Sequence, residues 1–451
     1  MNVKRAVSLG AVLLFGLIGC ATSGRERLTP TPRPLGSDLP TFHAARLNEA
    51  PDRPVEEEPT GAVNLRQVLA LALMKNPELA AFSWEVRAQE AAALQAALLP
   101  NPELGAALEN IGLDQSETTI QLSQLIELGG KRSKRAEVAS LTEELARWDY
   151  EAKRIDVLTK TSQAFVDVLG LQQQLALIEE RVRLSEEVAR VVSERVKAGK
   201  VSPIEETRAH VALSTAQIAL DRGQQQLIVA RKRLGAAWGS AEPPFEKAEG
   251  DLHAVSPIPT LEALARRLSL NPELARWATE ISQRRAVIRL EKSKALPDLS
   301  VSGGVRRFNQ TDENTFVAGV TIPLSFFNRN QGNISEARHQ LKRAEEARRA
   351  AAVRVTVELS EAYGDLATRV AEVQALEEKV LPGARSTFEA MNEGYRLGKF
   401  GLLDVLDAQR TLFEARSQYL NALTGYHQAV AEVERLIGEP LHGIQALLEQ
   451  K

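Results

Sequence analysis

Near its C-terminal end the chain reads GKFGLLDVLDAQR, residues 398 to 410. Asp404 and Asp407 are three residues apart, so on a helix both point from one face. Carboxylates held side by side repel each other, and the chemistry they offer in return is attraction of cations. Rings of them line cation-conducting constrictions. Plainer uses exist. Asp404 falls in the first turn of a helix, where a carboxylate meets the positive end of the dipole for about 0.3–1 kcal/mol, and Asp407 suits a solvated face. The sequence leaves both readings open.

Little else in the chain suggests reactivity. His43, His210, His253, His339, His427 and His442 share no ligand spacing, and the single cysteine, Cys20, rules out a disulfide framework or a thiolate zinc site. No nucleophile elbow or acid–base pair is visible, so no catalytic residue, metal site or cofactor is expected. ELGGKRS at 127–133 invites comparison with a phosphate-binding loop. It fails, because Leu125 stands where the first glycine is needed and Arg132 where Ser or Thr must follow the lysine. Gly129 and Gly130 read instead as a sharp strand-to-helix bend. A net charge of −3 with 25% charged residues gives no basic footprint for nucleic acid.

Cys20 has a context of its own. The chain opens MNVKRAVSLGAVLLFGLIGCATSG, with Lys4 and Arg5 ahead of an apolar stretch, Ala6 to Ile18, too short to span a bilayer comfortably. Leu17-Ile18-Gly19-Cys20 resembles a bacterial lipobox. That resemblance implies a signal peptide over 1–19, removed before Cys20, and acylation of Cys20; the alternative is an ordinary signal with a chance cysteine. In lipoproteins of this type Ala21, rather than Asp, directs export to the outer membrane. Several acyl chains anchor stably where one binds marginally. Residues 20–60, rich in proline, read as a lipidated tether. Beyond Cys20 no run of 18 apolar residues occurs, so a membrane crossing would have to be a closed β-barrel.

The elements that position the acidic pair repeat themselves. NPEL occurs at 76–79 and at 271–274, and AGK at 198–200 matches LGK at 397–399. Two homologous halves account for this: repeat 1 over 61–237, a connector over 238–258, repeat 2 over 259–437, and a tail over 438–451. Each half has short helices, with Pro77 in the first turn of one, then two strands and two long helices joined at a Gly-Lys turn. The strands are expected at 102–110 and 117–127, and at 298–308 and 314–324. In NTFVAGVTIPL, Phe316, Ala318, Val320, Ile322 and Leu324 alternate with small or polar residues, as in a transmembrane strand or a soluble hairpin. Long helices are expected at 131–198, 202–237, 331–397 and 402–437. The first has no proline and would run on the order of 100 Å. Leu175, Ile178, Val182, Ser185, Ala189, Val192 and Val196 form a heptad seam, as do Leu423, Tyr426, Val430, Val433 and Ile437. The fold class is therefore mixed α+β, mostly long helices plus four transmembrane strands per chain. Four strands cannot close a barrel with a lumen; three chains supply twelve, so a homotrimer in outer-membrane lipid is expected. A coiled-coil scaffold without a pore explains the helices and leaves the strands and the duplication unexplained.

With the two NPEL openings, QLSQLIELGGKRSKR, VTIPLSFFNRNQGNISEA and GYRLGKFGLLDVLDAQRTLFEA, the chain resembles TolC-type outer-membrane efflux channels from about residue 62 to 437. ELGGKR and PLSFFNRNQGN are most like the CzcC-like branch. The resemblance implies a passive duct partnered by a periplasmic adaptor and an inner-membrane RND pump, exporting heavy-metal cations; ducts for small organic molecules or type I secretion share the architecture. It further implies a gate at the two Gly-Lys turns, with Asp404 and Asp407 lining it and Tyr395 hydrogen-bonded to Glu205 in the resting state. Glu205 equally suits a capping box, Ser202-Pro203-Ile204-Glu205. Phe400 stands where the family's best-known members carry a basic gate residue. The tip residues Gly199, Lys200, Val201, Gly398, Lys399, Phe400, Leu402 and Leu403 are expected to meet the adaptor, because exposed apolar tips need a partner.

Overall fold

The computed structural model describes residues 32–45, 58–112 and 115–441; the signal peptide, Cys20 and most of the tail lie outside them. In chain order the elements are β1 (Gly61–Asn64), α1 (Leu65–Lys75), α2 (Pro77–Ala96), β2 (Glu103–Glu109), β3 (Glu117–Ile126), α3 (Lys131–Lys197), α4 (Pro203–Ala236) and β4 (Phe245–Glu249). Then come α5 (Leu261–Arg267), α6 (Pro272–Lys294), β5 (Leu299–Phe308), β6 (Glu313–Thr321), α7 (Gln331–Ala375), a π-turn (Leu376–Val380), α8 (Leu381–Arg396) and α9 (Leu402–Ile437).

The NPEL motif does the same work in each half. Asn76 Oδ1 accepts from Leu79 N at 2.8 Å, capping α2, while its Nδ2 donates to Ala237 O at 2.8 Å, the end of the last helix of its own repeat. Asn271 caps α6 through Leu274 N at 3.1 Å and donates to Leu436 O at 2.9 Å. Pro77 and Pro272 occupy the first helical position, where a missing N–H costs nothing. One asparagine thus closes each repeat on itself.

The long helices pack along the expected seams. Val182, Ser185, Ala189 and Val192 of α3 are buried, as are Leu423, Tyr426, Val430, Val433 and Ile437 of α9. The main core gathers where α1, α3 and α9 meet, around Leu65, Leu73, Phe165, Val168, Leu423 and Tyr426. Gly170 lets α3 and α9 approach there, since a methyl group on it would run into Thr424.

The four long strands form one antiparallel sheet in the order β2-β3-β5-β6, with β2 and β6 as free edges. The helices follow the same sequence: α2 packs on α3, α3 on α6, and α6 on α7. A second, parallel pair joins β1 to β4, Val63 opposite Ala248.

Several expectations need correction. The helix expected over 331–397 is broken by the π-turn at 376–380, where Leu381 N bonds to Leu376 O. Pro382, lacking an N–H, clashes with a regular helical ladder at the next position, and the wider turn accommodates it. Strand β6 stops at Thr321, short of 324, because Pro323 cannot continue the ladder. The β1–β4 pair lies where short helices and the connector are expected. Residues 32–45 of the expected tether are docked: Arg154 donates to Leu35 O at 2.8 Å and Arg33 O at 3.1 Å, Leu35 N to Gly438 O at 3.2 Å, and Phe42 N to Leu73 O at 3.1 Å.

Candidate functional site: the sheet and the helical tips

Register assigns a face to every strand residue. Thr119 pairs with Arg306, and Arg306 with Thr315; one step along, Ile120 pairs with Val305, and Val305 with Phe316. Paired residues point the same way and neighbours alternate. One face therefore carries Leu104, Leu108, Ile120, Leu122, Val301, Val305, Phe316 and Val320, all exposed, with Phe316 at 86%. The other carries Gln121, Ser123, Ser302, Thr315 and the Arg306 cluster, in which Arg306 donates to Thr119 Oγ1 at 3.1 Å and Glu117 Oε2 at 3.0 Å. An exposed apolar face opposite a polar one is what a bilayer outside and water inside require. At the hairpin end, Glu109, Glu117, Phe308 and Glu313 form one rung of the polar face, three carboxylates across the sheet. Sequence reading missed this rung, since only the register brings 109, 117 and 313 together.

ELGGKRSKR joins sheet to helix. Gly129 and Gly130 take φ of +70° and +67°, and a Cβ on Gly129 would sit 2.7 Å from Leu296 Cδ1. The buried Lys131 donates to Leu296 O at 2.7 Å and Asp298 Oδ1 at 2.6 Å, fastening α3 to the start of β5. Arg135 bonds both oxygens of Glu127, at 2.5 and 3.1 Å, and Ala96 O at 2.8 Å. In the second repeat Asn330 takes the same left-handed conformation at φ +58° and donates to Glu291 O at 2.8 Å.

At the opposite ends of the long helices, both Gly-Lys turns are Schellman caps. Lys200 N bonds Arg195 O at 2.9 Å and Gly199 N bonds Val196 O at 2.9 Å; Lys399 N bonds Gly394 O at 2.8 Å and Gly398 N bonds Tyr395 O at 3.0 Å. The glycines supply φ of +69° and +75°. Asp404 and Asp407 are exposed on one side of α9. Asp404 Oδ2 accepts from Gly401 N at 2.9 Å, so it caps its helix as well as facing solvent, and Asp407 pairs with Arg410 at 2.8 Å.

Two tip expectations change. Ser202 Oγ accepts from Ile204 N at 3.4 Å, and Glu205 makes no reciprocal bond, so the capping box does not form. Tyr395 and Glu205 are not hydrogen-bonded within the chain: Tyr395 Oη and Glu205 Oε2 are both buried without a partner. The Tyr395 ring lies instead beneath Arg195, whose Cζ is 4.6 Å from the ring centroid. Leu402, expected at the surface, is 2% exposed and packs with Val192, Ala209, Tyr395 and Val405. It opens α9 on the inward side, whereas Leu403, one position on, points outward with Phe400. Gly199, Lys200, Gly398 and Lys399 are exposed and Val201 is half-buried.

No helix among the described residues is long and apolar enough to cross a membrane, and no group of three or more His, Cys, Asp or Glu among them could hold a metal ion. The arrangement defines a class: a four-stranded sheet with an exposed apolar face and an opposite polar face, carried on long packed helices. The chain belongs to the outer membrane efflux protein family, whose profile matches residues 68–240 and 263–439. It is 38% identical to the cobalt-zinc-cadmium resistance protein CzcC of Cupriavidus metallidurans over 381 residues, 84% of this chain and 91% of that one. The nickel-cobalt-cadmium resistance protein NccC of Alcaligenes xylosoxydans xylosoxydans is 26% identical over 287 residues, 62% of this chain and 64% of that one. The fold matches the solved structure of CusC with a TM-score of 0.72 at 17% identity, covering 89% of this chain and 99% of that one. The family places the protein in the outer membrane.

Proposed function

We propose that three copies of this chain form a passive duct that carries divalent heavy-metal cations out of the cell. The cations come from an inner-membrane RND pump through a periplasmic adaptor. The observation that carries this reading is the agreement of two layers. The sheet is open at β2 and β6, and the helices beside it run in the same order, with α2 and α7 as outer members. Bare strand edges are costly in lipid. Setting β6 and α7 of one copy against β2 and α2 of the next closes both layers at once, and three copies give a twelve-stranded barrel with a water-filled lumen.

The two resistance proteins named above support metal cations as the substrate class, and the excess of carboxylates on the polar face of the sheet fits that charge. Asp404 and Asp407, repeated by three copies, would form stacked rings at the periplasmic entrance, drawing cations in. Tyr395 and Glu205 belong to the same entrance as gate residues. Cys20 would add an acyl anchor in the outer membrane. The exposed tip residues Gly199, Lys200, Gly398, Lys399, Phe400 and Leu403, with the half-buried Val201, would receive the adaptor; Leu402 supports them from beneath. The chain supplies a path and a gate, and the pump supplies the energy.

Deleting the gene tests this. Loss of zinc, cobalt or cadmium tolerance, restored by the wild-type chain and not by a copy lacking β5 and β6, is the expected result. Unchanged metal tolerance with new sensitivity to organic compounds would move the substrate class to small organic molecules.

A further inference from the structure

One cavity, of about 330 Å³, lies away from both the sheet and the helical tips and falls in the size range of small-ligand pockets. Four parts of the chain enclose it: the docked N-terminal segment, α1, α3 and α9. Leu35 and Leu39 of the segment, Leu69 of α1 and Leu158 of α3 make its walls apolar. Measured along α3, Leu158 stands on the order of 40 Å from the sheet end at Lys131, so bilayer headgroups do not reach it. Glu434 of α9 lines the cavity and is 3% exposed. Its Oε1 accepts from Leu441 N at 2.6 Å, while its Oε2 accepts from no donor among the described residues. Arg66, the lining cation, is taken up at the mouth by Asp38 at 2.7 Å, where both side chains are more than half exposed. A carboxyl buried without a cation is costly. Thr159 and Ser162, three residues apart on one face of α3, line the same cavity. Thr159 Oγ1 donates its proton to Ile155 O at 3.0 Å and keeps lone pairs with which to accept. One carboxyl oxygen and two hydroxyl oxygens thus border an apolar chamber.

We propose that this cavity binds a small amphipathic primary amine, a function independent of the duct. Glu434 Oε2 and the Thr159 and Ser162 hydroxyls hold its ammonium group, and the four leucines pack against its hydrocarbon part. An ammonium has three donors and no acceptor, which matches three acceptors and leaves none of its protons buried unpaired. A metal ion suits the set poorly, because calcium and magnesium take six or more oxygens and zinc takes four ligands, mostly nitrogen or sulfur. A ligand seated there joins the N-terminal segment to α1, α3 and α9.

The test uses the full-length protein in nanodiscs of phosphatidylglycerol and phosphatidylcholine, lipids without a primary amine. At about pH 9 the Glu434 carboxyl, pushed up by burial to about 8, is ionised, while an alkylammonium, near the lysine value of about 10.4, keeps its proton. Isothermal titration compares cyclohexylamine with cyclohexanol and with calcium chloride. Wild type is expected to bind cyclohexylamine saturably and at least about tenfold more tightly than cyclohexanol, because only the amine makes charge-assisted hydrogen bonds. Glu434→Gln, which keeps the acceptor for Leu441, should weaken the amine at least about tenfold, and Ser162→Ala about threefold. Unchanged oligomer size and circular dichroism in both variants would place the loss in the cavity. Equal affinity for cyclohexanol, or undiminished amine binding by Glu434→Gln, overturns the proposal. Calcium binding that Glu434→Gln abolishes overturns it too, by making the cavity a metal site. Absence of saturable amine binding to wild type ends it and leaves the duct reading untouched.

Discussion

Glu434, on the buried face of α9, offers a prediction whose size follows from its surroundings. It lines a cavity of about 330 Å³, walled by Leu35 and Leu39 of the docked N-terminal segment and by Leu69, Leu158 and Ala431. Its Oε1 accepts from Leu441 N at 2.6 Å, and no cation pairs with it among the described residues. Burial pushes its pKa up from the ordinary 4.5 to about 8. Below pH 4.5 the carboxyl is protonated both folded and unfolded and contributes nothing. As pH rises the unfolded chain releases this proton while the folded chain keeps it, so stability is lost progressively and the loss levels off above pH 8. At about 1.4 kcal/mol per pH unit, the loss is on the order of 1 kcal/mol at pH 5.5 and on the order of 4–5 kcal/mol at pH 9. Glu434→Gln keeps the acceptor for Leu441 and removes the titration. Its melting temperature should equal that of wild type near pH 4.5 and exceed it by about 5 °C at pH 9. Burial also lowers the pKa of His427, which destabilises the fold as pH falls, but both proteins carry that histidine and comparison at each pH cancels it. A difference between the two proteins that does not change with pH would refute the reasoning.

Other substitutions test the remaining parts. Asn76→Ala and Asn271→Ala should each cost about 1–2 kcal/mol in denaturant melts, by similar amounts, because the two caps have the same geometry. Gly129→Ala should cost at least about 1–2 kcal/mol from its left-handed backbone alone. The methyl group also meets Leu296, and a reduced yield of inserted protein is expected. Asp404→Asn with Asp407→Asn should lower cation over anion permeability in bilayers, and unchanged reversal potentials would remove the entrance rings. Neutralising Glu109, Glu117 and Glu313 together should weaken cation preference from the external side, read from the same reversal potentials.

What the sequence revealed depended on how local each signal was. The Asn-Pro openings, the heptad seams and the alternation around Phe316 are properties of short stretches, and all three reappear in the structure. The strand ends were legible to within a few residues, and β6 fell short only because Pro323 outweighs the apolar run after it. The β1–β4 pair was hidden, since GAVN and FEKAE are too short to show a period and lie far apart in the chain. The docking of residues 32–45 rests on hydrogen bonds from Arg87, Tyr150 and Arg154 to backbone carbonyls, and such bonds leave no pattern in a proline-rich stretch. Leu381-Pro382 carries a signal for the broken helix, since a proline inside a helical pattern has no N–H for the ladder. At the tips, composition could not separate Leu402 from Leu403, because only the phase of the first helical turn decides which one faces inward. Arg195 looked like any basic residue at a helix end until the fold placed it over Tyr395.

The account depends on the open sheet being completed by neighbouring copies. Paired cysteines, one introduced in β2 and one in β6 on the lipid-facing side, measure this directly when oxidised in outer membranes. The account predicts a ladder of monomer, dimer and trimer that stops at three. A chain that remains monomeric across every β2–β6 pairing, or a ladder that continues past three, would contradict it.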